Sequence, residues 1–218
     1  MDEGVDLDGE VRRVDPDRWL ASRFIADPAV RAGVVTLYAF DHELARAGAV
    51  TSNPLTAEIR LVWWREALDE IFAGRPVRRH PTAEALAAVV GAHDLPREPF
   101  EAMIEARIKV LEAPVMDTAG ALGWARAAQG VLARLAAEVL GAGEEAGLAE
   151  PAGVVWGLRL LGREEALGEA LAWARASARR LPPVAFPAAL PATLARSRQA
   201  SDLEKRARLT WAAMTGRI

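Results

Sequence analysis

The stretch LYAFDHELARAGAV, residues 37–50, sets two carboxylates, Asp41 and Glu43, behind the aromatic pair Tyr38 and Phe40 in an otherwise apolar run. Acids so placed suit one of two tasks. Ligation of a divalent cation needs several carboxylate oxygens facing one point, whereas a buried ion pair needs a cation of opposite charge on a neighbouring element.

Other groups of acids read more plainly. Glu66, Asp69 and Glu70 lie at i, i+3 and i+4, where Arg65 can pair with Asp69, and Glu101 and Glu105 precede Lys109 at the same spacing. Such patterns are solvated helix faces. His42, His80 and His93 fall in no metal-ligand spacing, and His80 before Pro81 is expected to cap a helix. Cysteine is absent, which removes thiolate metal sites and Cys nucleophiles, and neither a glycine-rich phosphate loop nor a Gly-x-Ser-x-Gly elbow occurs. No metal site is expected from spacing.

The elements that must position Asp41 and Glu43 are helices. Asp15-Pro16, Asp27-Pro28 and Asn53-Pro54 each put a capping side chain before a proline suited to the first turn, and apolar residues then recur at three and four. The pattern predicts helices over 16–25, 28–49, 54–73, 82–92, 97–113, 117–140, 144–162, 164–180, 188–198 and 201–215, with LPPVAFPAALP (181–191) as a hinge or linker. The acidic residues 1–14 are expected to be a mobile tail, and 15–218 a single all-α domain.

On the helix 28–49, Asp41 shares a stripe with Val30, Val34, Leu37 and Leu44, so it faces the core and needs a partner. Arg60 shares its arc with Trp63, Trp64, Ala67 and Ile71 on the next helix. A short turn joins the two, and antiparallel pairing across it sets 43 near 60. Arg60 is therefore the expected partner of Glu43 or Asp41. Of the neighbours Trp63 and Trp64, about 100° apart on a helix, one is expected to face a cavity.

A chain of 218 residues with 51% hydrophobic and 26% charged content has the composition of a soluble globular protein, and a net charge of −3 argues against a general nucleic-acid binder. No apolar run approaches the roughly 18 residues of a membrane span. Charge is nonetheless uneven. From Arg175 onward nine arginines and lysines face only Asp202 and Glu204, a surface suited to anionic lipid or an acidic partner, unless it is simply solvated.

Asp17-Arg18-Trp19-Leu20, the run from Arg31 through TLYAF, IRLVWWREAL, and Gly74-Arg75-Pro76 leading to His80-Pro81 together resemble the squalene/phytoene synthase family. The resemblance implies an isoprenoid-synthase-like helical bundle around a central cavity. It also implies two acidic motifs that hold Mg²⁺ against a departing diphosphate. Here the first-motif positions are Ala45, Arg46 and Ala49, and the second motif retains only Arg163 and Glu164.

Within that family FDHELA and IRLVWWREAL are most similar to a divergent branch that includes a mitochondrial assembly factor for respiratory complex I and bacterial relatives. The resemblance thus implies a degenerate synthase without catalytic residues, cofactor or metal, supporting assembly of a membrane complex through a protein partner or lipid. Its location would be cytoplasmic, at the inner face of the membrane. Tyr38, Asp41, Glu43, Arg60, Trp63 and Trp64 form the candidate network around the cavity. Two alternatives stay open: an active Mg²⁺-dependent prenyltransferase, and a carrier of an isoprenoid or lipid ligand.

Overall fold

Side-chain caps set where the helices begin. Asp15 accepts the Arg18 amide ahead of Pro16, Asp27 accepts the amides of Ala29 and Val30 beside Pro28, and Ser201 and Glu204 form a reciprocal capping box. His80 stands at a helix start without donating or accepting a capping bond there, because its ring packs on Trp63 and Trp64 instead. In a computed structural model the described residues are 6–49, 54–112, 116–197 and 199–218, so the expected Asn53 cap lies outside them.

The helices are α1 (Leu7–Val14), α2 (Pro16–Ser22), α3 (Pro28–Ala49), α4 (Pro54–Phe72), α5 (Pro81–His93), α6 (Glu98–Glu112), α7 (Thr118–Ala125), α8 (Val131–Val139), α9 (Glu150–Leu160), α10 (Leu167–Ala178) and α11 (Asp202–Thr215). No strand occurs among the described residues. The all-α expectation therefore holds, and most boundaries fall within a few residues of those read from the pattern.

Three expectations are corrected. Residues 7–14 are not a mobile tail: they form α1, capped by Asp6, with Val11 fully buried and the helix packed on α3. The stretch 117–140 is not one regular helix, because a π-helical turn at Arg126–Gly130 separates α7 from α8. The proline-rich segment is not a hinge. It folds into two 3-10 turns, Pro183–Ala188 and Leu190–Leu194, that bury Phe186, Leu190 and Leu194 against α8 and α9.

Helix α3 is central and touches α1, α2, α4, α5, α6 and α8. Phe40 on its inner face meets Trp64 edge-on at 5.3 Å and Phe100 at 5.8 Å, and the buried apolar side chains form one continuous cluster. Helix α9 approaches the π turn unusually closely. A Cβ on Gly153 would lie 2.1 Å from the Gln129 carbonyl oxygen, and one on Gly157 would lie 2.7 Å from the Ala125 Cβ. Glycine at both positions is what allows the π turn to press Gln129 into the interior.

Candidate functional site

Asp41 lies at the bundle centre, 2% exposed, and three elements converge on it. From α2, Arg18 donates Nη2 to Oδ2 at 2.8 Å; from α6, Arg107 donates Nη2 to Oδ1 at 2.8 Å. The π turn supplies Gln129, whose Nε2 reaches both carboxylate oxygens at 2.9 and 3.0 Å and whose Oε1 accepts from Arg18 Nη1 at 3.0 Å. Arg18 also donates to Asp15, and its guanidinium stacks on the Tyr38 ring 4.9 Å away.

Burial alone would raise the Asp41 pKa. The Arg18 and Arg107 charges and the Gln129 hydrogen bonds outweigh it and hold the group at about 2. Burial pushes the Tyr38 phenol up to about 12, against the opposing charge of Arg18. At neutral pH the centre therefore holds an ionised carboxylate between two guanidiniums beside a neutral phenol. It has neither an acid nor a base poised to exchange a proton near pH 7.

The space left around this network is small. A cavity of about 20 Å³ between Arg18, Tyr38, Gln129 and Trp156 has room for about one water molecule. This space beside Arg18 is too small to hold a long apolar chain.

A second interior knot ties the C-terminal helix to the same region. Asp17, also buried, accepts from Arg159 Nη2 on α9 at 2.6 Å and from Lys205 Nζ on α11 at 2.8 Å. Adjacent residues of α2 thus serve two networks, Asp17 toward α9 and α11 and Arg18 toward α3, α6 and the π turn.

Arg60 pairs with neither Asp41 nor Glu43. It is exposed, and among the described residues it forms no ion pair; Glu43 is held by Arg46 at 3.0 Å on its own helix. The reason is angular: two residues on α3 are about 200° apart, so Asp41 faces α2, α6 and the π turn while Glu43 faces α4. Hairpin pairing does bring Glu43 and Arg60 to one pocket of about 350 Å³, which Arg46, Trp63, Trp64 and His80 also line. Trp64 is the tryptophan turned into the core; Trp63 lies nearer the surface beneath the Arg78 guanidinium, 4.9 Å from its ring centroid.

The candidate residues therefore separate. Tyr38 and Asp41 belong to the central network, and Glu43, Arg60, Trp63 and Trp64 to the pocket. Arg163 and Glu164 stand apart from both, beyond the end of α9: Arg163 donates to the Met116 carbonyl and Glu164 is exposed. Glu66 and Glu70 both pair with Arg78, and Asp69 pairs with Arg97, not with Arg65. Arg65 pairs with Glu105 instead.

Of the true partners of Asp41, Arg107 and Gln129 did not stand out in the sequence, and Arg18 entered only as part of the Asp17-Arg18-Trp19-Leu20 segment. Arg18, Arg107 and Gln129 lie 23, 66 and 88 residues from Asp41, beyond any local periodicity. The available signal was that Arg18 lies on a short helix beside the buried Ala21 and Ser22, where a charge needs a distant partner.

The residues present do not fit Mg²⁺. Ala45 offers no ligand, Arg46 brings positive charge, and among the described residues no three His, Cys, Asp or Glu side chains gather where an ion could be held.

A family model described as squalene/phytoene synthase matches residues 11–175. Among solved structures, the squalene synthase HpnC from Alicyclobacillus acidocaldarius superposes with a TM-score of 0.67 at 19% identity, over 97% of this chain and 96% of that one. At that identity the likeness establishes the isoprenoid-synthase-like fold. No curated protein matches the sequence.

Proposed function

We infer that this chain, which belongs to the squalene/phytoene synthase family, is a non-catalytic member that keeps the synthase fold and serves assembly of a membrane respiratory complex by binding a protein partner or lipid. The observation that carries the reading is the chemistry of α3 beyond its aromatic pair, where Ala45, Arg46 and Ala49 replace the three carboxylates that the resemblance calls for. Ionising a prenyl diphosphate requires the leaving group's charge to be neutralised in place. Two interior arginines here are instead spent on Asp41. The assembly role is supported by the FDHELA and IRLVWWREAL segments, which carry the likeness to the divergent branch.

The test has two parts. Incubation with farnesyl or geranylgeranyl diphosphate and Mg²⁺ is expected to release no diphosphate above the protein-free rate; release that disappears in Glu164→Gln overturns the non-catalytic reading. Deleting the coding sequence is expected to deplete an assembled respiratory complex on native gels, with recovery on re-expression. Normal assembly in the deletion strain refutes the assembly role.

One observation favours a carrier as the second reading. The pocket beside Trp63 and Trp64 falls within the size range of small-ligand sites and has Arg46 and Arg60 on its lining to meet an anionic head without a metal. Saturable quenching of tryptophan fluorescence by farnesyl phosphate, lost in Trp63→Leu, would support it.

A further inference from the structure

Helix α11 is apolar on two opposite faces. Leu209 and Ala212 point inward and are fully buried, and Lys205 beside them reaches Asp17. The opposite face carries Leu203, Ala207, Trp211 and Met214 at i, i+4, i+8 and i+11, and there Leu203 is 77%, Trp211 54% and Met214 82% exposed. Single exposed apolar residues are ordinary on any surface. Three large ones aligned along one helix, with Arg206 and Arg208 on its flanks, form the pattern of a helix lying in a lipid interface.

The surroundings carry the same sign. Arg208 and Trp211 line a pocket of about 700 Å³ together with Arg175, Arg179, Arg217 and Ile218, whose oxygen accepts from Arg175 Nε at 2.9 Å, and among the described residues no Asp or Glu side chain lies on its wall. A neighbouring groove shares Arg179 and Arg217 and continues over Phe24, Phe186 and Met214. The only acids of α11, Asp202 and Glu204, lie in its first turn, and Glu204 is engaged by Ser201 in the capping box. Cationic side chains thus border apolar ones along a single surface, as headgroup phosphates border acyl chains.

We propose that the outward face of α11, with Arg175 and Arg179 at the end of α10 and Arg217 beside it, docks this protein onto an anionic phospholipid membrane: Leu203, Trp211 and Met214 enter the interface, and Arg175, Arg179, Arg208 and Arg217 meet lipid phosphates. The proposal rests on the reading of a factor that works at a membrane and gives that reading its surface. Asp17 supplies the mechanical link, since it holds α11 to α9 through Lys205 and Arg159.

Flotation with phosphatidylcholine vesicles, with and without phosphatidylglycerol, tests it. The whole chain is expected to float with the anionic vesicles at low salt, to float poorly with neutral ones, and to be released as salt shortens the screening length. The triple variant Leu203→Ser/Trp211→Ser/Met214→Ser is expected to bind at least about tenfold more weakly, and each of Arg208→Gln and Arg217→Gln roughly fivefold more weakly. These side chains are exposed, so an unchanged melting temperature accompanies the loss. Three results overturn the proposal: no flotation of the wild-type chain, equal binding to neutral vesicles, or a triple variant that floats like wild type. A chain that fails to float yet restores the respiratory complex removes the docking surface and spares the assembly reading. One that floats but restores nothing retains the surface and removes the assembly role.

Discussion

Replacing Asp41 by Asn keeps the shape of the side chain and deletes its charge, leaving the guanidiniums of Arg18 and Arg107 without the carboxylate that both of them bind. Arg18 is 5% exposed and cannot swing into solvent without unpacking α2 from α3. Removing one partner from a buried ion pair typically costs about 3–5 kcal/mol. For a chain of this size each kcal/mol lowers the melting temperature by about 2–4 °C, so Asp41→Asn should melt roughly 6–20 °C below wild type in a calorimetric scan.

Acid provides an independent check on the same group. Its folded pKa is depressed to about 2, below an unfolded value of about 3.9, so its contribution is fully present above about pH 4 and is lost as pH falls toward 2. That contribution is about 2–3 kcal/mol. The wild type should therefore lose stability between pH 4 and pH 2 more steeply than Asp41→Asn does. A variant melting within about 2 °C of wild type, with the same acid dependence, would refute the reasoning that the charge is held in place by the interior.

Three further outcomes follow from the geometry. Arg60→Met should alter stability by less than about 0.5 kcal/mol in urea melts, because the side chain is exposed and outside the ion-pair networks. Gly153→Ala should destabilise the fold by about 1–3 kcal/mol or more, since its methyl would meet the Gln129 carbonyl oxygen and force α9 away from the π turn; wild-type thermal stability would contradict the close approach. Asp17→Ala should loosen α11 selectively, seen as faster amide exchange across residues 202–215 than across α3.

Much of the fold was legible in the sequence, because helix caps and three-four periodicity are local. Asp15-Pro16 and Asp27-Pro28 start helices where they stand, and the burial of Asp41 follows from its stripe on α3. The family was legible as well: the segments DRWL, TLYAF and IRLVWWREAL lie within the matched residues 11–175. That Ala45, Arg46 and Ala49 bear no carboxylate needs only a count along the chain.

Local pattern failed where packing overrides it. Residues 7–14 show only one side chain destined for the core, yet buried Val11 and the Asp6 cap hold them as a helix against α3. The prolines of 181–191 signal interruption, but a chain can be interrupted and buried at once, and 3-10 turns accommodate prolines within the core. The bifacial character of α11 is written in its sequence, but which face is inward depends on where Lys205 finds Asp17.

Sequence by itself determined that Asp41 must have a cationic partner; only the tertiary structure decided which one. The hairpin made Arg60 the nearest candidate along the chain, whereas the carboxylate points away from α4 toward Arg18, Arg107 and Gln129. A buried charge selects its partner by direction and desolvation, and both arise only when distant helices pack around it.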